Sequence, residues 1–175
     1  MSNLPLLLPA FAVGMVAALV AGRPLGRVLR TSTVAAMALI AAAALVTAVT
    51  LTPQRFDAGA VDVFAAVPEV PPDAGLWHWP WQWWWVNDRT LNIALFVPLG
   101  FAVTLVGRRG ARWALVAAAL LAPLAVEGTQ YVVAWLARDP QWQDVLDNTL
   151  GVLIGLGLGL LWRRLRPAAR GRVGG

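Results

Sequence analysis

The chain has 175 residues, of which 59% are hydrophobic and only 13% are charged, and its mean hydropathy is +0.66. A soluble domain carries about 25% charged residues, so this composition predicts an integral membrane protein. The sequence contains no cysteine and a single histidine. It therefore excludes disulfides, thiol chemistry and any metal site built from several histidines.

Five apolar stretches follow one another along the chain. Most are close to the ~20 residues that a helix needs to cross ~30 Å of hydrocarbon. We therefore expect an all-α fold, a polytopic bundle of about five transmembrane helices. The first stretch ends in small residues, like a signal peptide, but three arginines follow it and no basic residue precedes it, so we expect a retained helix. The expected spans are residues 4–21, 32–51, 91–106, 111–137 and 145–162.

Eleven of the 14 arginines fall in three short clusters beside these stretches, and all nine acids lie elsewhere. Short arginine-rich loops stay in the cytoplasm, so the pattern predicts an N-terminus outside and a C-terminus inside. The net charge of +5 does not indicate a nucleic-acid partner, because the arginines form no continuous basic stripe. The clusters are Arg23/Arg27/Arg30, Arg108/Arg109/Arg112 and Arg163/Arg164/Arg166/Arg170/Arg172.

The long segment between the second and third stretches, about residues 52–85, is acidic and is expected outside. It ends in six tryptophans within nine residues, from Trp77 to Trp85, and contains the single histidine, His78. Because tryptophan prefers the membrane interface, a segment lying at headgroup level is the favoured interpretation. Stacking of these rings on a sugar or an aromatic ligand is the alternative.

Polar residues gather at the proposed outer ends of the last three helices. Residues three or four positions apart share a helical face, and such spacings recur in each of the three. Gly151 and Gly155 continue the polar stripe of the fifth helix, where small residues allow another helix to approach closely. We expect one shared pocket that faces outward. The candidate ligand-binding residues are Asp88, Asn92, Glu127, Gln130, Arg138, Asp144, Asp147 and Asn148.

Glu127 is the deepest of these candidates. It lies eight residues inward of the interface marker Trp135, about 12 Å below the interface. A carboxylate at that depth costs ~2.5–3.5 kcal/mol and normally faces the interior of a bundle. Arg138 is expected to meet the acids of the third and fifth helices first. Two interpretations stay open: these residues bind a ligand, or they lock three helices together by buried hydrogen bonds.

Three sequence motifs follow in order. They are Asp88-x-x-Leu91-Asn92-x-x-x-Phe96-x-Pro98-Leu99-Gly100, then Glu127-x-x-Gln130, then Arg138 with Asp144-x-x-Asp147-Asn148-x-x-Gly151. The set resembles the VanZ-like family of small bacterial membrane proteins, whose namesake is associated with teicoplanin resistance. The resemblance implies a multi-pass protein of the bacterial plasma membrane. Together with the apolar spans and the arginine clusters, it predicts a division into residues 1–85 (two helices and the Trp-rich extracytoplasmic loop), 86–162 (a VanZ-like three-helix core) and 163–175 (a basic cytoplasmic tail).

Three functions remain open on this basis. The leading hypothesis is a non-catalytic protein whose pocket binds a lipid or cell-wall precursor headgroup and contributes to teicoplanin-type glycopeptide tolerance. Its partners would be membrane lipids and a cell-wall precursor or glycolipid, with no cofactor and no resident metal. The first alternative is a membrane-embedded enzyme, with Glu127 as acid or base and Asp144 and Asp147 holding Mg²⁺ or Ca²⁺. The second is a small proton-coupled carrier that uses Glu127 as its switch.

Overall fold

The computed structural model describes residues 2–3, 6–53, 55–56, 88–136 and 141–165. Within these ranges the chain forms five long helices, a short 3-10 helix and one two-residue antiparallel pairing. The expected all-α fold is confirmed. The elements are β1 Ser2–Asn3, α1 Leu7–Leu29, α2 Thr33–Leu51, β2 Arg55–Phe56, α3 Asp88–Thr104, α4 Arg109–Val132, the 3-10 helix Ala134–Leu136 and α5 Trp142–Leu165.

Several predicted features lie outside the described residues. They are the Trp77–Trp85 segment with His78, the candidate residue Arg138, and the last three arginines of the third cluster, Arg166, Arg170 and Arg172.

Four of the described helices, α1, α2, α4 and α5, are long and apolar enough to cross a membrane. The remaining helix, α3, corresponds to the third expected span and has 17 residues. At 1.5 Å per residue it extends about 25 Å, somewhat less than the hydrocarbon thickness of a bilayer. Its first turns also carry Asp88, Arg89 and Asn92, which lower its apolar content.

The lateral surface of the bundle, formed by the exposed sides of its helices, is strongly apolar. On α1, Leu8, Val13 and Val20 are each more than 70% exposed. Soluble proteins rarely leave large contiguous apolar patches open to water. This surface therefore suits contact with lipid, in agreement with the lengths of the four helices.

α3 is the central helix of the bundle. It packs most extensively against α5 and also contacts α2 and α4. Phe96 and Val103 on α3 are almost completely buried in one apolar cluster with Val126 of α4 and Val152 of α5. Since lipid tails are as apolar as these side chains, close packing rather than transfer from water stabilises the cluster.

Glycines allow α3 and α5 to approach closely. A Cβ atom on Gly151 would collide with the backbone carbonyl oxygen of Ile93, and one on Gly155 with that of Val97. Gly100 on α3 is equally close to the backbone of α5. Close approach at Gly151 and Gly155, expected from small residues on the polar stripe, is therefore present.

The helix ends differ from the expected spans. α1 continues to Leu29 instead of ending near residue 21, although the added turns contain Gly22, Pro24 and Gly26, and it stops where Arg30 takes a φ of 53°. α4 ends at Val132 rather than near residue 137, and the N–H of Val133 donates to the carbonyl oxygen of Thr129. Local backbone caps, and not the apolar length alone, set these ends.

The described arginines of the three clusters lie toward one end of the bundle, which we call the arginine end. The backbone N–H of Arg108 donates to the carbonyl oxygen of Leu29 at 2.9 Å, so the α3–α4 turn contacts the end of α1. A guanidinium nitrogen of Arg163 on α5 donates to the carbonyl oxygen of Thr104, the last residue of α3, at 2.7 Å. The side of the membrane that this end faces stays a prediction.

The opposite end, which we call the polar end, holds every acid among the described residues. These acids are Asp88 at the start of α3, Glu127 in the last turns of α4, and Asp144 and Asp147 in the first turns of α5. Charge is thus separated along the bundle axis, as the sequence pattern indicated.

Candidate functional site

The Asp147 carboxylate joins α5 to α3 through a two-bond ion pair. Nε of Arg89 lies 3.1 Å from Oδ2, and Nη2 of Arg89 lies 3.3 Å from Oδ1. Gln143, one turn earlier on α5, donates from Nε2 to Oδ1 at 3.0 Å. The Asp147 side chain is 3% exposed and that of Arg89 is 30% exposed. Because a planar guanidinium matches both carboxylate oxygens, the pair fixes how α5 is rotated against α3.

A second contact lies beside this ion pair on the same interface. Nδ2 of Asn92 donates to Oδ1 of Asp144 at 2.8 Å. Asn92 follows Arg89 by three residues and Asp144 precedes Asp147 by three, so each pair of neighbours shares a helical face. Two acids of α5 therefore each meet a donor from α3, and we call this pair of contacts the α3–α5 ladder.

Asn148 is the most deeply placed amide of this region and is 2% exposed. Its position on α5 lies on the same stripe as Asp144 and Gly151, which face α3. Among the described residues, its Oδ1 has no hydrogen-bond partner. A buried acceptor left unpaired costs ~1–3 kcal/mol.

Glu127 lies on α4, next to the beginning of α5. Its side chain is 7% exposed, and Oε2 accepts the backbone N–H of Gln141 at 3.0 Å. A groove of about 430 Å³ opens between α4 and the start of α5 at this point. Its lining residues are Leu124, Glu127, Gly128, Tyr131, Gln141, Trp142 and Val145. The groove thus combines one buried carboxylate with walls that are mostly apolar and aromatic.

Gln130, a candidate ligand-binding residue, makes a hydrogen bond to the backbone of α2. Its Nε2 donates to the carbonyl oxygen of Thr50, near the end of α2, at 2.9 Å, and both residues are buried. The side chain therefore joins α4 to α2. For this residue the contact fits the interpretation that polar side chains lock helices together.

The described site residues lie at one end of the bundle but divide among several interfaces. Asn92, Asp144 and Asp147 meet between α3 and α5, Glu127 lines the groove, Gln130 contacts α2, Asn148 is buried on α5, and Asp88 is exposed at the start of α3. At 100° per residue, the ladder and the groove lie on different sides of the first turns of α5. Arg138 lies outside the described residues.

Arg89 and Gln143 were not among the predicted site residues, although both contact Asp147. A signal for each was present in the sequence. Arg89 precedes Asn92 by three residues and so shares its helical face, and Gln143 precedes Asp147 by four. Trp142 and Tyr131 in the groove wall carried no comparable spacing signal.

The two acids considered as metal ligands, Asp144 and Asp147, both accept hydrogen bonds from side chains of α3. Within the described residues, no three His, Cys, Asp or Glu side chains lie close enough to hold an ion together. Asp139, a further acid near the start of α5 in the sequence, lies outside the described residues.

Four helices long and apolar enough to span a membrane, an apolar outer surface and acids gathered at one end are typical of a helical membrane protein. The model of the VanZ/LLP1 family matches residues 32–163 of the 175. The chain therefore belongs to the VanZ-like family, which confirms the resemblance seen in its motifs. The match begins at the start of α2 and so covers more than the motif region. No match was found among curated proteins or among solved structures.

Proposed function

We propose that this VanZ-like protein binds an amphiphile of the cell envelope, a lipid or a cell-wall precursor, in the groove between α4 and α5. The Glu127 carboxylate in the wall of that groove is the observation that carries the proposal. This carboxylate accepts the backbone N–H of Gln141, and the groove walls around it are mostly apolar and aromatic. A matching ligand therefore brings a polar or cationic group to Glu127 and an apolar part to the walls.

The size of the groove limits what it can hold. A volume of about 430 Å³ lies toward the lower end of the ~300–1,000 Å³ of small-molecule pockets. It suits a headgroup with the first part of an acyl chain, while the rest of such a molecule lies in the surrounding bilayer. Trp142 and Tyr131 add aromatic surface at the mouth, and their polar atoms suit the membrane interface.

Other residues of the polar end support the groove in this proposal. Trp142 and Val145 stand on the first turn of α5, whose rotation depends on the ion pair between Arg89 and Asp147. Arg138 follows α4 by six residues, and we assign it the contact to a phosphate or carboxylate of the ligand.

The positive-inside pattern predicts that the polar end lies on the extracytoplasmic face. A protein that binds cell-wall precursors there contributes to tolerance of glycopeptides of the teicoplanin type. This part of the proposal follows from the association of the family's namesake with teicoplanin resistance.

Binding to the purified protein tests the proposal directly. The probe is a polyprenyl-diphosphate-linked disaccharide peptide, with phosphatidylethanolamine in a second arm, and complexes are quantified by native mass spectrometry. Glu127→Gln keeps the shape and removes the charge, so we expect about tenfold weaker binding of the preferred probe. Trp142→Ala removes groove surface at an exposed position and should also weaken binding. Trp135→Ala is the matched control, because this exposed tryptophan lies at the same end but does not line the groove.

Cells that carry the same variants can be compared by their tolerance of teicoplanin. We expect Glu127→Gln and Trp142→Ala to lower the inhibitory concentration while Trp135→Ala leaves it unchanged, at equal amounts of protein in the membrane. Wild-type binding of both probes by both groove variants would rule the proposal out.

A further inference from the structure

The arginine end carries a concentration of positive charge that the proposed function does not use. It holds eight described arginines, and all four described acids lie at the polar end. The eight are Arg23, Arg27, Arg30, Arg108, Arg109, Arg112, Arg163 and Arg164. All except Arg112, which is half-buried, are exposed.

Two of these guanidinium groups are held together by the end of α3. Nη1 of Arg163 donates to the carbonyl oxygen of Thr104 at 2.7 Å, and Nη1 of Arg112 donates to that of Val106 at 3.4 Å. The two acceptors are two residues apart, so side chains from α4 and α5 converge on one place. A guanidinium has five N–H donors, and each of these bonds uses a single nitrogen.

The convergence brings like charges close to one another. Arg109 precedes Arg112 by three residues on α4 and so shares its helical face, and Arg163 of α5 reaches the same end of α3. No carboxylate among the described residues lies at this end to offset the repulsion. An anion with several acceptor oxygens would offset it and would match the fork geometry of the guanidinium groups.

A hydrogen bond between two turns stabilises the backbone near Arg109, Arg112 and Arg163. The hydroxyl of Thr31 donates to the carbonyl oxygen of Leu105 at 2.7 Å, which joins the α1–α2 turn to the α3–α4 turn. A Cβ atom placed on Gly110 meets nothing within 4 Å, so the described residues leave the surface between Arg109 and Arg112 open.

We propose that Arg109, Arg112 and Arg163 form a binding site for the phosphate of an anionic phospholipid in the leaflet at this end. Trp113 follows Arg112 and Trp162 precedes Arg163, and these side chains are 60% and 43% exposed. Tryptophan rings of this kind lie at headgroup level, which places the guanidinium groups where lipid phosphates are. Basic pockets between transmembrane helices bind such headgroups. The apolar surface around the three arginines matches the acyl chains of a phospholipid and does not match a nucleic acid.

Lipid binding to the full-length protein in neutral detergent tests this site. The probes are phosphatidylglycerol, cardiolipin and zwitterionic phosphatidylcholine, counted by native mass spectrometry. We compare the wild type with R112Q/R163Q and with R23Q/R27Q, which removes the same charge from α1 at the same end. The first double variant should lose at least about tenfold in affinity for both anionic lipids, since each arginine near a lipid surface contributes to their attraction. The second should stay within about twofold of the wild type, and phosphatidylcholine should bind weakly throughout.

Arg109→Gln is a second test variant that should leave the fold intact, because Arg109 is exposed at the first position of α4. We expect about fivefold weaker binding of phosphatidylglycerol by this single variant. Equal losses in the two double variants would mean that diffuse surface charge attracts the lipid, and the proposal would fail. It would also fail if R112Q/R163Q and Arg109→Gln bound like the wild type. A short oligonucleotide bound more tightly than phosphatidylglycerol would assign the surface to nucleic acid instead.

Discussion

The Asp147 carboxylate accepts hydrogen bonds from two side chains, Arg89 and Gln143, while only 3% of it is exposed. Removing one partner of a buried ion pair costs about 3–5 kcal/mol, because the other charge is left uncompensated. Arg89 is 30% exposed and can reach solvent, so the cost here is smaller. We expect Asp147→Ala to destabilise the protein by about 2 kcal/mol, measured by unfolding in mixed micelles.

Asp88→Ala is the control for that prediction. Asp88 is an exposed acid at the first position of α3, where its loss removes only a favourable interaction with the helix dipole of about 0.3–1 kcal/mol. The double variant Arg89→Ala/Asp147→Ala should be less damaging than the sum of the two single variants, since the pair acts as a unit. Equal effects of Asp147→Ala and Asp88→Ala would contradict a structural role for the ion pair.

At the residue scale, the sequence predicted which side chains are polar and buried better than it predicted their partners. The depth of Glu127 below the interface and the shared helical faces of Asn92 and the α5 acids were both predicted, because the rise and the period of a helix determine them. The partner of Asp147 could not be predicted in this way. It depends on how α3 packs against α5, whose backbones are in close contact at Gly151. Arg89 is therefore the partner that the structure adds.

The packing of α3 on α5 predicts that alanine substitutions at two glycines of α5 change the stability of the protein in opposite directions. A Cβ at Gly151 would collide with the backbone carbonyl oxygen of Ile93, which cannot turn away as a side chain can. Gly151→Ala should therefore destabilise the protein by about 1–3 kcal/mol in spite of the better helix propensity of alanine. Gly157, on the same helix, meets nothing within 4 Å, so Gly157→Ala should raise stability by up to about 1 kcal/mol.

Thermal unfolding in one detergent compares the two glycine variants. An increase in stability from Gly151→Ala would show that α3 and α5 do not touch at this point. The loss of groove binding by Gly151→Ala, with binding retained by Gly157→Ala, would further connect the helix interface to the groove through α5.

At the element scale, hydropathy located the middle of each helix, because a membrane requires long apolar stretches. It did not locate the ends. α1 runs on past its apolar stretch to Leu29, and α4 stops short at Val132, since the turn at Arg30 and the cap at Val133 are local features of the backbone. Of the five long helices described, α3 has the fewest residues, and its first turns carry the polar residues of the ladder.

For the whole molecule, the proposed function of the groove depends on which end of the charge-separated bundle faces the extracytoplasmic side. The groove needs the extracytoplasmic face to meet cell-wall precursors, and the arginine end needs a leaflet with anionic lipid. The sequence predicted the separation of charge, because arginine clusters and acids alternate with the apolar stretches. It could not identify a groove, whose walls come from side chains on two helices.

The native chain has no cysteine, so single cysteines report the orientation without background. Trp135→Cys labels the polar end and Arg109→Cys the arginine end, and both positions are exposed. Because arginine-rich segments remain in the cytoplasm, a membrane-impermeant maleimide should label Trp135→Cys in intact cells and Arg109→Cys only after permeabilisation. The reverse pattern would place Glu127 and its groove near the cytoplasmic face. Extracytoplasmic precursors could not then reach the groove, whereas the phosphate site, which needs only an anionic leaflet, would be tested separately by its lipid affinities.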